Sequence, residues 1–548
     1  MTYRSTTHKL FEVPELLGTI CKYAGCQRSP HLLRISKAFF RVAVPLVWEE
    51  TVGVHNLLKL LPDVSSKTKG DPAKLKHRGD KEDILIVVLF ELGEADFARF
   101  DLYARFVKRL KVFSSAVLSY QVNGWRQLSE LVKRQVLLPN LLELTIEPSS
   151  PPSSSLDQNI FLWIRTFLSP SLTSIVVGVG SEYKKLPTVP GLVAKSLLGH
   201  IEATCHNLRH FQLFPELPED CDTSKGRGDL VIADFWERSF FERLVGLQLQ
   251  ELGCTTELIS PKWIHLLTEF SSLRTLDLYT VSREIADPQP MSLPHLDHLG
   301  LHFTTCYGLE RIAEIGLLGG LRSLKISFQD SLVDDGWEKD MIFLISRNSP
   351  ELTKLHIEFD DTCDYIPEMS SFRPLGALPL TEVCLKGGVY VTDRQLEDLG
   401  AIWPNVTRFE MWDSEADLKI EQLRYFTKLP RLQHLALDLS WYSDIPQPIQ
   451  SAELSYTLRI FEILNENLCA DFDVALLARY LLSLWPNLKS VQWPWADDRQ
   501  EPIDIESDNM MKALRSMVTS QSDLNQLKSR IIEEYGLNVL DKLLERRI

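Results

Sequence analysis

The feature that most constrains this chain is a short apolar pattern, leucine-x-x-leucine-x-leucine, which recurs about thirteen times after residue 100. It is clearest as Leu273-Arg-Thr-Leu276-Asp-Leu278. A repeated surface of this kind suits binding better than catalysis, and the repetition predicts a solenoid whose stacked units share one continuous core. The pattern starts at Val107, Leu141, Leu172, Leu208, Leu244, Leu273, Leu296, Leu321, Leu352, Leu380, Val406, Leu432 and Leu488.

Each repeat predicts one short strand and one helix. The last two apolar positions are two residues apart, so both side chains leave the same face of a strand. Between strands the spacing is helical, as in Trp263, Leu266, Leu267 and Phe270. The predicted fold class is therefore α/β. Most repeats start 23 to 36 residues apart, but 56 residues separate Leu432 from Leu488. We therefore expect a degenerate repeat, one that keeps only part of the pattern, at 458–468.

The plan resembles the leucine-rich-repeat family, whose units span roughly 20–29 residues. That family has an asparagine three residues after the last leucine, where this chain has Val281, Gln329 and Asp360. A regular side-chain ladder is therefore not expected at that position. The resemblance implies an irregular horseshoe over residues 84–503, followed by a helical cap at 504–548, where apolar residues have helical spacing.

The charge of the chain is unevenly distributed. Its net charge is −15, but residues 1–82 hold 14 Lys and Arg against 8 Asp and Glu, so the remainder carries −21. An acidic surface repels a phosphate backbone and favours a basic protein segment as the target, although the charge is equally consistent with solubility alone. Residues 62–83, rich in Lys, Asp, Gly and Ser, are predicted to be a mobile loop.

The cysteines and the apolar segments indicate the compartment. Nine cysteines without paired spacing indicate neither a disulfide framework nor a zinc site. The N-terminus has no signal-peptide core, and the longest aliphatic and aromatic run, Ile84 to Phe90, is far too short to span a membrane. We therefore expect a soluble intracellular protein of the cytoplasm, the nucleus or both.

The first 61 residues differ in character from the repeats and predict three short helices. Val13-Pro-Glu-Leu-Leu17 opens one amphipathic stretch, Ser29-Pro30 opens a second that runs to Phe39, and Val42, Leu46 and Trp48 form a third apolar group. So small a unit buries little surface alone and needs a larger partner.

This segment resembles an F-box, and an F-box followed by leucine-rich repeats resembles the fungal F-box-like proteins. Two positions depart from the family pattern: Phe39 replaces a tryptophan, and Ala24-Gly25 ends the first helix early. The resemblance implies docking on a Skp-type adaptor and, through it, on a cullin-RING ubiquitin ligase core. The residues that it implies for adaptor binding are Val13, Pro14, Leu16, Leu17, Ile20, Leu32, Phe39 and Trp48. Alternatively, the module only caps the open end of the solenoid.

The sequence contains no constellation typical of an enzyme. It has no phosphate-binding glycine loop, nucleophile elbow or zincin pair, and Cys205, His206 and His210 are the nearest approach to a metal cluster. We therefore expect no catalytic residues, no metal and no cofactor. The target-binding residues are expected on the concave face, where large aromatic and polar side chains make good anchors. They are Phe214, Tyr279, His302, His356, Glu358, Glu410, Trp412, Asp438 and Trp441.

Overall fold

In the computed structural model the chain divides into two compact units, Met1–Tyr279 (unit 1) and Thr280–Ile548 (unit 2). The residues that it describes are 14–23, 34, 36–61, 64–69, 84–89, 97–114, 119–147, 157–178, 188–215, 238–260, 262–279, 291, 293–304, 306–328, 337–359, 367–387, 389–412, 418–439, 445–447, 455–464 and 474–492. The predicted helical cap at 504–548 lies outside these residues.

Two amphipathic helices lie near the N-terminus, α1 (Pro14–Tyr23) and α2 (Lys37–Trp48). The Ser36 hydroxyl accepts a hydrogen bond from the Phe39 amide at 3.2 Å, which begins α2. This one helix holds both Phe39 and the group Val42, Leu46 and Trp48. The third apolar group therefore continues the helix that contains Phe39, and the predicted helix start at Ser29-Pro30 lies outside the described residues.

Seven strands of unit 1 form a parallel sheet in the order β1, β4, β6, β7, β9, β11, β12. Their bounds are β1 Glu50–Val52, β4 Arg109–Lys111, β6 Glu143–Ile146, β7 Ser174–Val177, β9 His210–Gln212, β11 Glu251–Thr255 and β12 Thr275–Tyr279. The sheet therefore begins directly after α2, before residue 84 where the repeats were expected to start.

Two smaller sheets complete the strands of unit 1. In the first, β3 (Ile84–Leu89) pairs antiparallel with β2 (Val64–Lys69) and parallel with β5 (Ser119–Asn123). In the second, β8 (Thr188–Val189) pairs with β10 (Phe214–Pro215). The prediction of a loop over 62–83 is wrong for the residues of β2, because the strongly apolar β3 is paired along its whole length by this polar segment.

Helices join the strands of unit 1. The α-helices are α3 Val54–Leu58, α4 Ala98–Ala104, α5 Trp125–Arg134, α6 Asp157–Phe167, α7 Gly191–Thr204 and α8 Ile264–Leu267, with a 3₁₀ helix at Thr256–Ile259. Residues 238–246 are also helical.

Eight strands of unit 2 form a parallel sheet in chain order. They are β13 His298–Thr304, β14 Ser323–Phe328, β15 Lys354–Phe359, β16 Glu382–Lys386, β17 Arg408–Trp412, β18 His434–Leu437, β19 Ile460–Ile463 and β20 Ser490–Gln492. Its helices are α9 Cys306–Ile315, α10 Trp337–Asn348, α11 Asp393–Glu397, α12 Leu399–Ile402 and α13 Val474–Leu484, with 3₁₀ helices at Met369–Ala377 and Ile420–Lys428. Parallel neighbours joined by helical connections are the expected result of a strand-and-helix repeat.

The repeated apolar positions form the core of each unit. In β12 the side chains of Leu276 and Leu278 are both fully buried, and in β17 the same is true of Phe409 and Met411. Each such side chain contributes about 1.5–3 kcal/mol of hydrophobic stabilisation. The degenerate repeat expected at 458–468 is confirmed, because it contains β19, which pairs with both β18 and β20.

One predicted repeat is out of register. Leu244 lies in the helical segment 238–246, whereas the β11 residue that pairs with Phe211 and with Leu276 is Leu252. The pattern for this strand therefore starts at Leu249, not at Leu244. The apolar pattern occurs twice here, starting at Leu244 and again at Leu249. The residues around the first start form a helix, in which Phe240, Phe241 and Leu244 are buried along one face.

Side chains that precede the strands form hydrogen bonds with the preceding repeat. The threonine hydroxyls of unit 2 donate to backbone carbonyls one repeat earlier: Thr353 to Arg322 at 3.0 Å, Thr381 to Thr353 and Thr407 to Thr381 at 3.1 Å. Asparagine amides make similar bonds, Asn140 to Arg105, Asn207 to Pro170 and Asn487 to Tyr456. Through these bonds, backbone carbonyls of one repeat obtain hydrogen-bond donors from the next repeat. They form although the chain lacks asparagine at the position where the leucine-rich-repeat family usually has it.

Candidate functional site

Helix α1 has one buried and one exposed apolar edge. Leu17 and Cys21 are 1% and 0% exposed and pack with Phe39 and Ala43 of α2. One residue before each of them, Leu16 and Ile20 are 41% and 42% exposed. Residues four apart share a face of a helix, so these two side chains form one exposed apolar strip, called here the α1 edge. An exposed apolar strip on a small helical unit is a candidate docking surface.

The structure separates the residues that were expected to bind an adaptor. Pro14 is exposed at the first position of α1, but a helical turn of about 100° per residue places it away from the strip formed by Leu16 and Ile20. Leu17 and Phe39, at 1% and 6% exposure, instead hold the two helices together. Trp48 is partly buried, and its ring lies 4.9 Å from the ring of Tyr103 on α4, so it attaches α2 to the first repeats. Val13 and Leu32 lie outside the described residues.

In unit 1 the two aromatic residues expected on the binding face contact each other. The Phe214 side chain is fully buried, and its ring lies 4.2 Å from the ring of Tyr279. Phe214 therefore offers no surface to a target, because its strand pairs with β8 rather than with the main sheet. The partly exposed Tyr279 hydroxyl accepts a hydrogen bond from the Gln212 amide at 3.4 Å, and burial raises its pKa above the usual range.

In unit 2 a face of the sheet carries polar side chains, and most of its acids are paired across neighbouring strands. We call this surface the polar face; its charged and aromatic residues are Lys325, Lys354, His356, Glu358, Glu382, Lys386, Arg408, Glu410, Trp412, His434 and Glu462. Lys386 Nζ lies 2.7 Å from Glu358 Oε1, and Lys354 Nζ lies 2.8 Å from Glu382 Oε1. Partly exposed pairs of this kind fix side-chain positions more than they stabilise the fold.

The Glu410 carboxylate is the centre of the polar face. It accepts hydrogen bonds from Arg408 Nε and, at 3.3 Å, from Trp412 Nε1, and its side chain is only 12% exposed. Burial and the neighbouring Glu410 carboxylate raise the pKa of the Cys384 thiol to about 12, so that thiol stays protonated at neutral pH. The hydrogen bond from Trp412 Nε1 also holds the partly exposed Trp412 ring in one orientation.

His356 lies next to this centre. Burial, together with the Lys325 ammonium, lowers the pKa of its imidazole to about 4, so the ring is neutral at physiological pH. Its Nε2 atom is buried and has no hydrogen-bond partner among the described residues. Because this nitrogen is buried, it is not accessible to a ligand on the surface of the sheet.

A second pair lies further along the same face. His434 Nε2 and Glu462 Oε2 are 2.9 Å apart, and this contact lowers the pKa of Glu462. Asp438 and His302 are both partly exposed, and His302 lies where the register between β13 and β14 shifts. Trp441 lies outside the described residues.

The sequence pattern did not indicate the basic residues that pair with the expected acids Glu358 and Glu410. Lys386 lies opposite Glu358 on the neighbouring strand. Arg408 is at the same position of its strand as Lys354, two strands away. Reading every non-leucine position of the strands, rather than selecting large aromatic and acidic residues, would have found them.

The described residues offer no obvious chemical centre of another kind. Within them, no group of three or more His, Cys, Asp and Glu side chains is arranged to hold a metal ion. Cys205 is buried and donates to the Ser169 carbonyl at 3.4 Å, and burial raises its pKa to about 11. None of the described helices is long and apolar enough to cross a membrane.

Comparison with known proteins gives only distant structural similarity. No protein-family model and no curated protein matches the sequence. Among solved structures, the chain aligns with the complex of Rad7 and Elc1 from yeast at 14% identity and a TM-score of 0.32, covering 70% of this chain and 89% of that one. It also aligns with the Drosophila Toll–Spatzle complex at 12% identity and a TM-score of 0.22, covering 75% and 62%.

The fold itself shows the architecture that the two units share. Each unit is a mixed α/β structure built on a parallel sheet with one strand per repeat, and this arrangement is compatible with a solenoid.

Proposed function

We propose that this protein is a non-catalytic substrate-recognition subunit of an SCF-type ubiquitin ligase. In this proposal an F-box-like module at the N-terminus binds a Skp-type adaptor, and an irregular leucine-rich-repeat solenoid binds the protein that is to be ubiquitinated. The cullin-RING core would supply the catalytic activity. The chain itself would need no cofactor, and it would act in the cytoplasm or the nucleus.

The observation that carries the proposal is the α1 edge. If the module were only a cap on the first repeat, its apolar residues should be packed against that repeat. Leu16 and Ile20 are instead 41% and 42% exposed, while Leu17 and Phe39 satisfy the internal packing of the two helices. Because only about two-fifths of each side chain is exposed, burying the two in an interface would contribute roughly 0.6–1.2 kcal/mol each.

The second candidate function is a leucine-rich-repeat scaffold whose F-box-like end is a structural cap. Two observations favour it: the Trp48 ring packs against Tyr103, and α2 leads without a linker into β1, which pairs with β4. These contacts attach the C-terminal end of α2 and leave the α1 edge exposed. They therefore favour a capping role for α2 and do not account for the exposed α1 edge.

Affinity purification of the tagged full-length protein, followed by mass spectrometry, separates the two candidates. The ligase function requires a Skp-type adaptor among the co-purified proteins, and the double variant Leu16→Glu, Ile20→Glu should lose it. Leu192→Glu is the matched control, because Leu192 is 58% exposed on α7 of the same unit. A folded parent protein that brings down no adaptor, or a double variant that retains it, leaves the scaffold function.

A further inference from the structure

The last repeats of unit 2 carry a charge opposite to that of the unit as a whole. Residues 280–548 contain 26 Lys and Arg against 43 Asp and Glu, a net charge of −17. The described residues between 422 and 492, which surround the last three strands, instead contain six Lys and Arg against two Asp and Glu. They are Arg424, Lys428, Arg431, Arg459, Arg479 and Lys489, against Asp438 and Glu462. A positive region on a negatively charged unit is a candidate surface for an anionic partner.

Three of these cations lie at the edge of the sheet where β18, β19 and β20 begin. Arg459 and Lys489 directly precede β19 and β20, and the Lys489 amide donates to the Arg459 carbonyl at 2.8 Å. The Arg459 amide donates in the same way, at 2.9 Å, to the carbonyl of Gln433, which lies two residues after Arg431. Neighbouring strands are about 4.8 Å apart, so these cations start from adjacent positions. We call Arg431, Arg459 and Lys489 the basic edge.

The charges of the basic edge are exposed and are not neutralised by the described residues. All three side chains are exposed, and among the described residues none of them forms an ion pair with a carboxylate. The two acids of these repeats lie further along the strands. Glu462 is bound by His434 Nε2 at 2.9 Å, and Asp438 follows the last residue of β18. A carboxylate that reaches the basic edge therefore displaces no described internal partner.

An exposed aromatic ring lies close to the basic edge in the chain. Tyr456 is 59% exposed and precedes Arg459 by three residues. Its backbone carbonyl accepts a hydrogen bond from Asn487 Nδ2 at 3.0 Å, which connects the segments that lead into β19 and β20. Tyrosine and arginine are enriched among the residues that dominate protein interfaces. This ring favours a polypeptide as the partner over a small inorganic anion, because it offers an apolar contact beside the charges.

The net charge of unit 2 distinguishes between two anionic partners. A nucleic acid carries a dense row of phosphates, and a unit with a net charge of −17 repels it wherever it extends beyond the basic edge. A short acidic segment of a protein brings only a few carboxylates, which fit within the range of about 8 Å over which exposed charges act at physiological salt. The basic edge therefore fits an acidic peptide better than RNA.

We propose that the basic edge of unit 2 binds an acidic segment of a target protein, with carboxylates on Arg459 and Lys489 and an apolar side chain against the Tyr456 ring. The inference names the class of target, and it rests on the proposed function only in taking the bound segment from the protein that is to be ubiquitinated. It differs from the basic target that the overall charge favours, because the described cations of the edge, and not the sum of all charges, contact the segment.

The test is fluorescence anisotropy of labelled peptides with the full-length protein. A peptide of alternating glutamate and serine with one central leucine should bind, and its affinity should fall when the ionic strength rises from about 0.05 to about 0.3 M. A peptide in which arginine replaces every glutamate should not bind, and a single-stranded RNA of similar length should bind more weakly. No binding of the acidic peptide by the folded protein, equal binding of the two peptides, or tighter binding of the RNA would overturn the inference.

Charge variants locate the site. The double variant Arg459→Glu, Lys489→Glu should weaken binding of the acidic peptide at least about tenfold, and Arg459→Gln, Lys489→Gln about fivefold, because each exposed ion pair contributes only a few-fold in affinity. Lys339→Glu, Arg347→Glu is the matched control, since it changes the net charge equally at two exposed positions of α10. Equal weakening by the two charge reversals would show that binding follows net charge alone, and it would contradict the site.

The aromatic contact is tested separately. Tyr456→Ala should weaken binding of the same peptide about threefold, because the leucine loses its apolar contact. Tyr390→Ala should bind like the parent, since Tyr390 is 51% exposed but lies outside the last three repeats. Equal affinities for these two variants would remove Tyr456 from the site.

Adaptor co-purification with the same variants separates this inference from the proposed function. If the adaptor is retained but the acidic peptide does not bind, only the class of target is wrong. If the peptide binds through Arg459 and Lys489 but no adaptor is found, the ligase function is wrong and the acidic-segment site remains.

Discussion

The division of α1 into a buried and an exposed edge can be tested by replacing neighbouring leucines. Leu17 is 1% exposed in a small cluster with Cys21, Phe39 and Ala43, whereas Leu16 is 41% exposed. Removing a buried leucine side chain costs about 2.7–5 kcal/mol in a large core, and we expect about 2–3 kcal/mol in this small one. Leu16→Ala removes little packing and should cost less than about 0.5 kcal/mol.

Hydrogen exchange is the appropriate assay because α1 is short and depends on its contacts with α2. A loss of about 2–3 kcal/mol corresponds to amide exchange about 30- to 150-fold faster in 14–23 for Leu17→Ala. Leu16→Ala should change exchange by only about twofold. Equal acceleration in both variants would show that the α1 edge is packed rather than exposed, and it would refute the assignment of the two faces.

Two further outcomes follow from unit 2. The pKa of His356 is lowered to about 4 in the folded protein, so the stability that the neutral ring contributes is present above about pH 6.5 and is lost as the pH falls toward 4. Urea unfolding should therefore show that the parent loses up to about 2 kcal/mol more than His356→Gln between pH 7 and pH 5, and equal losses would contradict this. Phe409 is fully buried between the rings of Trp403 and Phe426, so Phe409→Ala should lower the free energy of unfolding by about 3–5 kcal/mol. A loss below about 1 kcal/mol would mean that β17 is not a core strand.

Strong periodicity made most of the strands predictable. Leu276 and Leu278 lie on one buried face because a strand alternates its side chains, and this holds whatever the neighbouring repeats are. The same reasoning failed at Leu244, where a helix uses one of two overlapping leucine patterns. It also failed for β2, whose polar residues form a strand by pairing with the apolar β3, and tertiary pairing of that kind leaves no local signal.

The candidate surfaces were less predictable than the fold. The motif indicated Leu16, Leu17 and Ile20 together, but one residue around a helix separates an exposed side chain from a buried one. Phe214 was expected on the binding face because it follows the last apolar position of β9, but its pairing with β8 and its contact with Tyr279 bury it. Such contacts join residues far apart in the sequence, so a local pattern does not show them.

The central claim, that the α1 edge binds a Skp-type adaptor, is tested most directly by titrating a purified adaptor into the full-length protein. We expect saturable binding by the parent and by Leu192→Glu, and a loss of about 100-fold or more in affinity for the Leu16→Glu, Ile20→Glu variant, since two apolar contacts are replaced by buried charges. Circular dichroism and the hydrogen exchange of α2, which packs against α1, establish that the variants are folded. Absence of binding by the folded parent, or equal affinity for the parent and the double variant, would contradict the claim.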